Sequence, residues 1–394
     1  MTYMPLELPV GVQDYLPLEC ELKRETESKL RKSFNMNGFR EVETPAFEYY
    51  NIFSGGIGAY KEQHMIKFFD RNGRILALRP DITVPIARMV ATWDEKEPRL
   101  FYIQNAYQMS DGNIRQKSEH TQAGVEMFGR RGSGADAEII ALAIKSLLAV
   151  GLKDFKIEIG QSGFFKGLIN GSGLSDEIVE EIKNHIDFKN TVELDYVLSI
   201  AEVGDELRQK LMILPELFGG EEALKRAAAI SSGDICAEAL QNLQEVYEIL
   251  CDMGFGQYVS IDLGMLHDIN YYSGVIFRGL ISEIGFPVLS GGRYDGLAAE
   301  FGKERPAIGF ALDLKRAMTA LERQGGLAPA KRSLTVVLAD KENAWKGAEL
   351  AESLREGGRT VIFEIADSYR GDEAPDEIYE VKGGGEAAVK RGSK

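Results

Sequence analysis

The sequence has few of the residues that build metal sites and disulfides. Its 394 residues include three cysteines and four histidines, none of them at the spacing of a zinc site. An odd number of scattered cysteines argues against a disulfide framework and is typical of a reducing compartment. No apolar run approaches the roughly 18 residues that a membrane helix needs, and the first residues do not have the pattern of a secretory signal. We therefore expect a cytoplasmic protein with no metal and no membrane contact.

Basic charge is also scarce. The chain has 46 lysines and arginines against 61 aspartates and glutamates, which gives a net charge of −15. Proteins that bind nucleic acid neutralise backbone phosphates with Lys and Arg, and this electrostatic contribution dominates their affinity. Because the chain has no basic surplus, its composition disfavours an RNA partner.

Hydrophobic periodicity predicts a β-rich body that is interrupted by a helical segment. Helical spacing predicts helices over residues 18–36 and 135–151, each ended by a glycine, and residues 153–160 have the pattern of a strand. Two β-rich runs at 99–109 and 120–129, separated by a polar stretch, predict an antiparallel hairpin with a long loop.

The same pattern predicts the organisation of the remaining chain. Residues 166–252 have helical periodicity with mixed-charge, solvated faces and form a helical insertion in a core that spans residues 1–325. A Gly/Pro/Ala-rich linker follows at 326–332. Residues 333–394 then form a small α/β domain, built on one β-α-β unit, with a frayed tail. Strands with segregated helices indicate an α+β fold for the main body.

Several separate segments occur together in one characteristic order. They are GFREVETPAFE, LRPDITVPIAR, the two strands of the predicted hairpin, INYYSGVIF, GGRYDGL and IGFALDLKR. In order and spacing they resemble the core of the class II histidyl-tRNA synthetases, over about residues 5–322. The resemblance implies a class II aminoacyl-tRNA synthetase-like antiparallel sheet flanked by helices.

The ATP half of the family's active site is altered. In the family, the second-motif strand ends in Phe-Arg-x-Glu, and its arginine binds the α-phosphate of ATP. Here Gln108 occupies the position of the arginine and Ser110 that of the glutamate. Gln116 replaces a basic loop residue, and His267 replaces an arginine that stabilises the reacting carboxylate. A guanidinium fork has no neutral equivalent, so we expect adenylation to be lost, with no catalytic residues and no cofactor. Arg316 does match the family's third motif and is either an anion contact or a structural remnant paired with an acid.

The amino-acid half of that site is retained. The resemblance places an acid and a threonine of the LRPDIT segment at the ligand's α-amino group, and a glutamine and glutamate of the second hairpin strand at the rest of the ligand. Alternate strand residues share a face, so 122, 124 and 126 point the same way, and Gly124 is expected to leave room between the two polar groups. Two consecutive tyrosines match the pair that caps the imidazole. The predicted histidine-like pocket comprises Asp81, Thr83, Gln122, Glu126, Tyr271 and Tyr272.

On the sequence alone, the same residues also fit purely structural roles. Polar strand residues usually face solvent or satisfy one another, and paired tyrosines usually pack in a core. Arg79 and Arg88 are as consistent with surface or ion-pair positions as with ligand contacts. Gly291, Gly292 and Gly296 are expected to serve a tight turn and not phosphate binding.

With an amino-acid pocket beside a disabled ATP site, the chain resembles a family of synthetase paralogues, the regulatory subunits of short-form ATP phosphoribosyltransferase. That resemblance implies a homodimer built on the first-motif segment, GFREVETPAFE, and docked with separate catalytic subunits in a hetero-oligomer. It also implies a role in the first step of histidine biosynthesis and in its feedback control by histidine, without tRNA. The alternatives are a divergent active histidyl-tRNA synthetase and an amino-acid binding module with another partner.

Overall fold

The computed structural model describes residues 7–56, 59–109, 118–266, 272–326, 333–383 and 387–391. Two compact units are present, Met1–Leu327 and Ala328–Lys394. Most of the predicted linker, residues 327–332, lies outside the described part of the chain.

The helices and strands are numbered here in chain order. The helices are α1 Pro17–Met36, α2 Asn51–Ser54, α3 Thr83–Ala91, α4 Ser133–Val150, α5 Ser162–Ile169, α6 Asp176–Asp187, α7 Thr191–Ile200, α8 Asp205–Ile213, α9 Glu221–Ile230, α10 Gly233–Asp252, α11 Leu314–Arg323 and α12 Ala344–Glu356. The strands are β1 Arg40–Glu41, β2 Phe47–Tyr49, β3 Lys67–Phe69, β4 Ile75–Leu78, β5 Arg99–Tyr107, β6 Glu119–Phe128, β7 Lys156–Gln161, β8 Phe218–Gly219, β9 Val259–Asp262, β10 Val275–Ile281, β11 Ile284–Arg293, β12 Ala307–Asp313, β13 Leu334–Ala339, β14 Thr360–Ile365, β15 Glu377–Val381 and β16 Ala387–Arg391.

A nine-stranded sheet, as far as the described residues extend, organises the first unit. Its strand order is β1-β5-β6-β12-β11-β10-β7-β9-β8, and the central strands from β5 to β7 are antiparallel. The predicted hairpin is confirmed, because β5 and β6 pair continuously from Arg99 opposite Met127 to Tyr107 opposite Glu119. Residues 110–117 of its loop lie outside the described residues.

The two faces of this sheet pack against different elements. Alternate residues of β6 point to opposite sides, so Ala123, Val125 and Met127 join the larger core, together with α1, α4 and the helical segment from α5 to α10. The other face carries a smaller core with α3, in which Tyr102 and Tyr294 are buried. The predicted site residues Gln122 and Glu126 alternate with the first set and therefore lie on this second face.

The predicted helices α1 and α4 are confirmed, and glycines follow their C-termini. Gly38 and Gly151 adopt φ angles of +83° and +110°, a region that residues with a Cβ rarely occupy. The first unit also contains a three-stranded antiparallel sheet of order β2-β4-β3.

The second unit contains a four-stranded sheet of order β14-β13-β15-β16. The predicted β-α-β unit is confirmed by β13, α12 and the parallel strand β14. The expectation of a frayed tail is wrong for Ala387–Arg391, because β16 supplies hydrogen bonds to the edge of β15 along an antiparallel ladder. No helix in the described part of either unit is long and apolar enough to cross a membrane.

Phe34 joins α1 to the centre of the main sheet, so its truncation tests this packing. Its ring is fully buried, with its centroid 5.4 Å from that of Phe101 and 6.2 Å from that of Phe310. We expect Phe34→Ala to lower the free energy of unfolding by about 3–5 kcal/mol, measured by urea denaturation followed by circular dichroism. Met36→Ala is the matched control on the same helix, since Met36 is 76% exposed, and should change stability by less than about 0.5 kcal/mol. Equal effects of the two substitutions would contradict this account of the core.

Candidate functional site

Five of the predicted ligand-binding residues line one cavity on the second face of the main sheet. Its volume is about 160 Å³, close to the roughly 150 Å³ of a cavity that holds a benzene ring. The described lining residues are Tyr60, Asp81, Thr83, Gln108, Gln122, Glu126, Tyr272, Ser290, Gly291, Tyr294, Gly309, Phe310 and Ala311.

Glu126 lies at the bottom of this cavity with both carboxylate oxygens held. The Thr83 hydroxyl donates to Oε1 at 2.7 Å, and the Tyr294 hydroxyl donates to Oε2. Thr83 begins α3, whereas Tyr294 follows directly after β11. The carboxylate therefore connects a helix start, a central strand and the turn after a third strand.

Two glycines shape the space around this carboxylate. Gly309 of β12 lies directly opposite Glu126, and a Cβ on Gly309 would overlap Oε2 of Glu126. Gly309 thus allows the acidic side chain to lie across the neighbouring strand. Gly124 was expected to leave room between Gln122 and Glu126, but the Tyr102 ring occupies the space next to its Cα.

Asp81 provides a second buried acid in the same cavity. The Tyr60 hydroxyl donates to its Oδ2, and the Val84 amide donates to its Oδ1 at 3.0 Å. The second of these bonds satisfies an amide in the first turn of α3, which fixes the carboxylate at the helix N-terminus. Asp81 therefore both binds the start of α3 and lines the cavity.

The electrostatics of the cavity favour a cationic ligand. Burial raises the pKa of Glu126 to about 8, against the opposing effect of hydrogen bonds from Tyr294 and Thr83, and the neighbouring Asp81 raises it further. Burial also raises the pKa of Asp81. Among the described lining residues there is no lysine, arginine or histidine. An ammonium or imidazolium group would compensate these two acids, which the described walls themselves do not neutralise.

The two glutamines at the cavity differ in their hydrogen bonding. Gln108 donates from Nε2 to the Pro80 carbonyl at 2.9 Å, so the residue at the position of the family's phosphate-binding arginine holds the loop before α3. The amide nitrogen of Gln122 lies 3.2 Å from Nε2 of His120. The Oε1 atom of Gln122 is buried and has no hydrogen-bond partner within the described ranges, so it is available to a donor on a ligand.

Tyr60 and Tyr294 are site residues that the sequence pattern did not predict. Tyr294 belongs to GGRYDGL, a segment that matches the family but was interpreted only as a turn. Its neighbours hold it in place: Arg293 donates to Asp136 of α4 at 2.8 Å, and Asp295 accepts from the Ala307 amide at 3.0 Å. No sequence pattern distinguishes Tyr60, because it lies in an irregular segment before a short 3-10 turn.

Three arginines considered from the sequence do not line the cavity. Arg316 is exposed, donates to the Pro287 carbonyl at 2.8 Å and lies 3.5 Å from Asp313. Arg88 forms an ion pair with Glu48 at 2.6 Å. Arg79 is neither a surface residue nor a cavity residue, because its buried guanidinium binds main-chain carbonyls, among them those of Asn105 and Pro45.

The prediction of a tight turn is correct for Gly296 and wrong for Gly291 and Gly292. Gly291 and Gly292 lie within β11. A Cβ on Gly292 would meet the Tyr272 ring, and a Cβ on Gly291 would meet Phe310 of the adjacent strand. Their role is therefore to permit close packing around the cavity.

Some of the predicted positions lie outside the described residues. These are Tyr271, Ser110, Gln116 and His267. Within the described ranges, no group of three or more His, Cys, Asp or Glu side chains could hold a metal ion.

Comparison with known proteins identifies the family. The histidyl-tRNA synthetase family profile matches residues 11–317. The chain is 44% identical over 358 residues to an ATP phosphoribosyltransferase regulatory subunit of Ruminiclostridium cellulolyticum, covering 90% of this chain and 85% of the relative. It is 42% identical to a regulatory subunit of the same name in Acetivibrio thermocellus, covering 91% and 86% of the two chains.

Solved structures agree with this assignment. A protein of Bacillus halodurans, described as an ATP phosphoribosyltransferase regulatory subunit/histidyl-tRNA synthetase, superposes with a TM-score of 0.84 at 30% identity, covering 94% of this chain and 96% of that one. The histidyl-tRNA synthetase of Nostoc sp. PCC 7120 superposes with a TM-score of 0.81 at 19% identity, covering 99% and 97%, which supports the fold alone. The chain therefore belongs to the family of ATP phosphoribosyltransferase regulatory subunits, built on the class II fold of the histidyl-tRNA synthetases.

Proposed function

We propose that this chain binds free histidine in the Glu126 cavity and transmits its occupancy to an associated ATP phosphoribosyltransferase catalytic subunit. As a member of the regulatory-subunit family, the chain is the non-catalytic partner in that complex. The observation that carries the histidine part is a cavity with two buried acids, Asp81 and Glu126, and no basic side chain among its described walls.

The chemistry of histidine fits these walls. Its α-ammonium group can pair with Asp81 and donate to the unpartnered Oε1 of Gln122. Its imidazole can share a proton with Glu126, whose carboxylate Thr83 and Tyr294 hold in one orientation. Tyr272 supplies an apolar wall beside the ring. A neutral apolar amino acid would leave the buried Glu126 carboxylate without a cation, so the cavity selects for a basic side chain.

The same site is poorly equipped to bind ATP. The Gln108 amide is bonded to the Pro80 carbonyl, and Arg316 is paired with Asp313 outside the cavity. Adenylation needs cations that meet the charge developing on the phosphate. Binding of histidine without its activation is the behaviour of a sensor, and a net charge of −15 gives no general attraction for tRNA.

Feedback then follows from linkage between two binding equilibria. The chain is proposed to act as a homodimer docked with catalytic subunits, favouring their active arrangement, and histidine favours an arrangement in which that activation is lost. A coupling free energy of about 1–3 kcal/mol between the two sites corresponds to a change of roughly 5- to 150-fold. This range is sufficient for control of the first step of histidine biosynthesis.

The decisive experiment mixes the purified chain with its cognate short-form catalytic subunit and follows phosphoribosyl-ATP formation. We expect activity to rise when the chain is added and to fall when histidine is added at saturation. Calorimetric titration of histidine should show heat with the free chain or with the complex. Absence of heat in both would remove the sensor role, and a catalytic subunit indifferent to the chain would remove the regulatory one. Histidine-dependent pyrophosphate exchange would instead indicate an active synthetase.

Substitution of Glu126 tests the ligand contact directly. We expect Glu126→Gln to weaken histidine binding by about 30-fold in Kd, because a hydrogen bond to a charged group contributes about 2 kcal/mol. The measurement is calorimetric titration at pH 7.5. Glu119→Gln is the matched control, since Glu119 lies on the same strand and bonds Asn105 at 2.7 Å outside the cavity. Equal affinities of the two variants would exclude Glu126 from the site.

The pH dependence of binding follows from the pKa of Glu126, about 8 in the empty cavity, and the ordinary imidazole pKa of about 6.5. The bound pair holds one proton. Below about pH 6.5 both free groups are protonated, so binding releases a proton and weakens as pH falls. Above about pH 8 both are deprotonated, so binding takes up a proton and weakens as pH rises.

We therefore expect the affinity for histidine to be greatest between about pH 6.5 and 8 and to decline towards tenfold per pH unit on either side. Calorimetric titrations from pH 5.5 to 9 measure the profile. Glu126→Gln should abolish the decline near pH 8 and keep the one at low pH. A profile that is flat across the whole range would contradict the shared proton.

A further inference from the structure

Helix α7 is apolar on two of its sides. Leu194, Val197 and Leu198 are buried in the larger core, which fixes the helix on the insertion. A globular helix normally has one apolar side towards the core and a polar side towards water, and a helix that is apolar all round is normally covered. The solvated side of α7 therefore carries large apolar side chains as well as the charged residues expected from the sequence, such as the exposed Glu193.

The outer side of α7 bears a row of large apolar side chains. Val192, Tyr196 and Ile200 recur every four residues and are 77%, 61% and 61% exposed. Phe188, which directly follows α6, is 80% exposed. Residues four apart lie along the same side of a helix, so the three helical side chains form a continuous row. We call Phe188, Val192, Tyr196 and Ile200 the α7 stripe.

The size of the α7 stripe fits a protein partner. Exposed aromatic and aliphatic side chains of these types present roughly 500 Å² of apolar surface in total. A stable protein interface takes about 800 Å² from each partner, with an apolar centre and a polar rim. The stripe can thus supply the centre of one such interface, whereas a small ligand needs a concave site.

The charges around the α7 stripe disfavour a second copy of the same chain. Residues 188–210 contain five acidic and three basic side chains. Each basic one is engaged with an acid: Lys189 with Asp262 at 3.2 Å, Arg208 with Asp195 at 2.7 Å and Lys210 with Glu206 at 2.6 Å. Two stripes facing each other would bring like-charged rims together, so a partner with a basic rim is favoured.

A different apolar face is available for self-association. The three-stranded sheet exposes Phe69 and Phe47, among others, and β2 begins at the end of the first-motif segment GFREVETPAFE. This face is therefore continuous in sequence with the segment proposed for the homodimer. The α7 stripe lies on the helical insertion and remains available to another protein.

We propose that the α7 stripe is the surface on which this chain docks the catalytic subunit of ATP phosphoribosyltransferase, through an apolar patch with a basic rim on that subunit. The proposal rests on the proposed regulatory function and adds the location of the contact. The stripe and the Glu126 cavity have no residue in common.

The test is the double variant Val192→Glu/Tyr196→Glu, mixed with the cognate catalytic subunit. Two added charges at the centre of the interface should weaken association at least 30-fold, as measured by surface plasmon resonance, and abolish activation at concentrations where the natural chain saturates. Ile235→Glu is the matched control, because Ile235 is exposed at 47% on α10 of the same insertion. It should retain affinity and activation within twofold.

Circular dichroism and histidine titration report whether the double variant is folded; both should match the natural chain. Activation of the catalytic subunit by the double variant within twofold of the natural chain would overturn the docking site and leave the proposed function intact. Failure of the natural chain itself to bind the catalytic subunit would remove both proposals. A loss of homodimer mass in analytical ultracentrifugation, without the catalytic subunit, would reassign the stripe to self-association.

Discussion

The carboxylate of Glu126 is the group on which the arrangement of the site depends. It is buried in the central strand β6, accepts hydrogen bonds from Thr83 and Tyr294 and lies against the Cα of Gly309 on the adjacent strand. A buried acid without a cation is unfavourable as a carboxylate, and its pKa of about 8 expresses that cost. The surrounding elements must be held rigidly enough to maintain it, because each of its partners comes from a different part of the fold.

The rigidity comes from the antiparallel sheet and the contacts behind it. Arg293 is bound to Asp136 of α4 on one side of the strand end, and Asp295 accepts from the Ala307 amide on the other. Between them, the buried Tyr294 donates its hydroxyl to Glu126. The Val84 amide at the start of α3 holds Asp81 on another wall of the cavity. Two residues before Asp81, Arg79 donates to the main-chain carbonyls of Asn105 and Pro45, which holds this part of the chain against its neighbours. These contacts preorganise the cavity before any ligand enters.

Two positions that face ATP in the synthetase family have partners within this chain. Of the two phosphate-facing positions that the structure describes, Gln108 lines the Glu126 cavity and Arg316 lies on α11. The Gln108 side chain donates to the main-chain carbonyl of Pro80, and Arg316 has a local acidic partner, so neither requires ATP to be satisfied. Glu126 and Gln122 differ from them. Burial raises the pKa of Glu126, and Oε1 of Gln122 accepts no hydrogen bond from the described residues.

The sequence by itself determined the family, the α+β class, the hairpin, helices α1 and α4, and five of the residues that line the cavity. These features are local or motif-based: periodicity specifies helices and strands, and the order of segments specifies the fold. Tertiary structure decided the rest. Only strand register placed Gly309 beneath Glu126 and filled the space at Gly124 with Tyr102. Only packing directed Arg79 to main-chain carbonyls, brought Tyr60 to Asp81 and left large apolar side chains exposed on α7. Burial, register and long-range contact depend on which distant segments meet, and spacing along a single chain does not encode that directly.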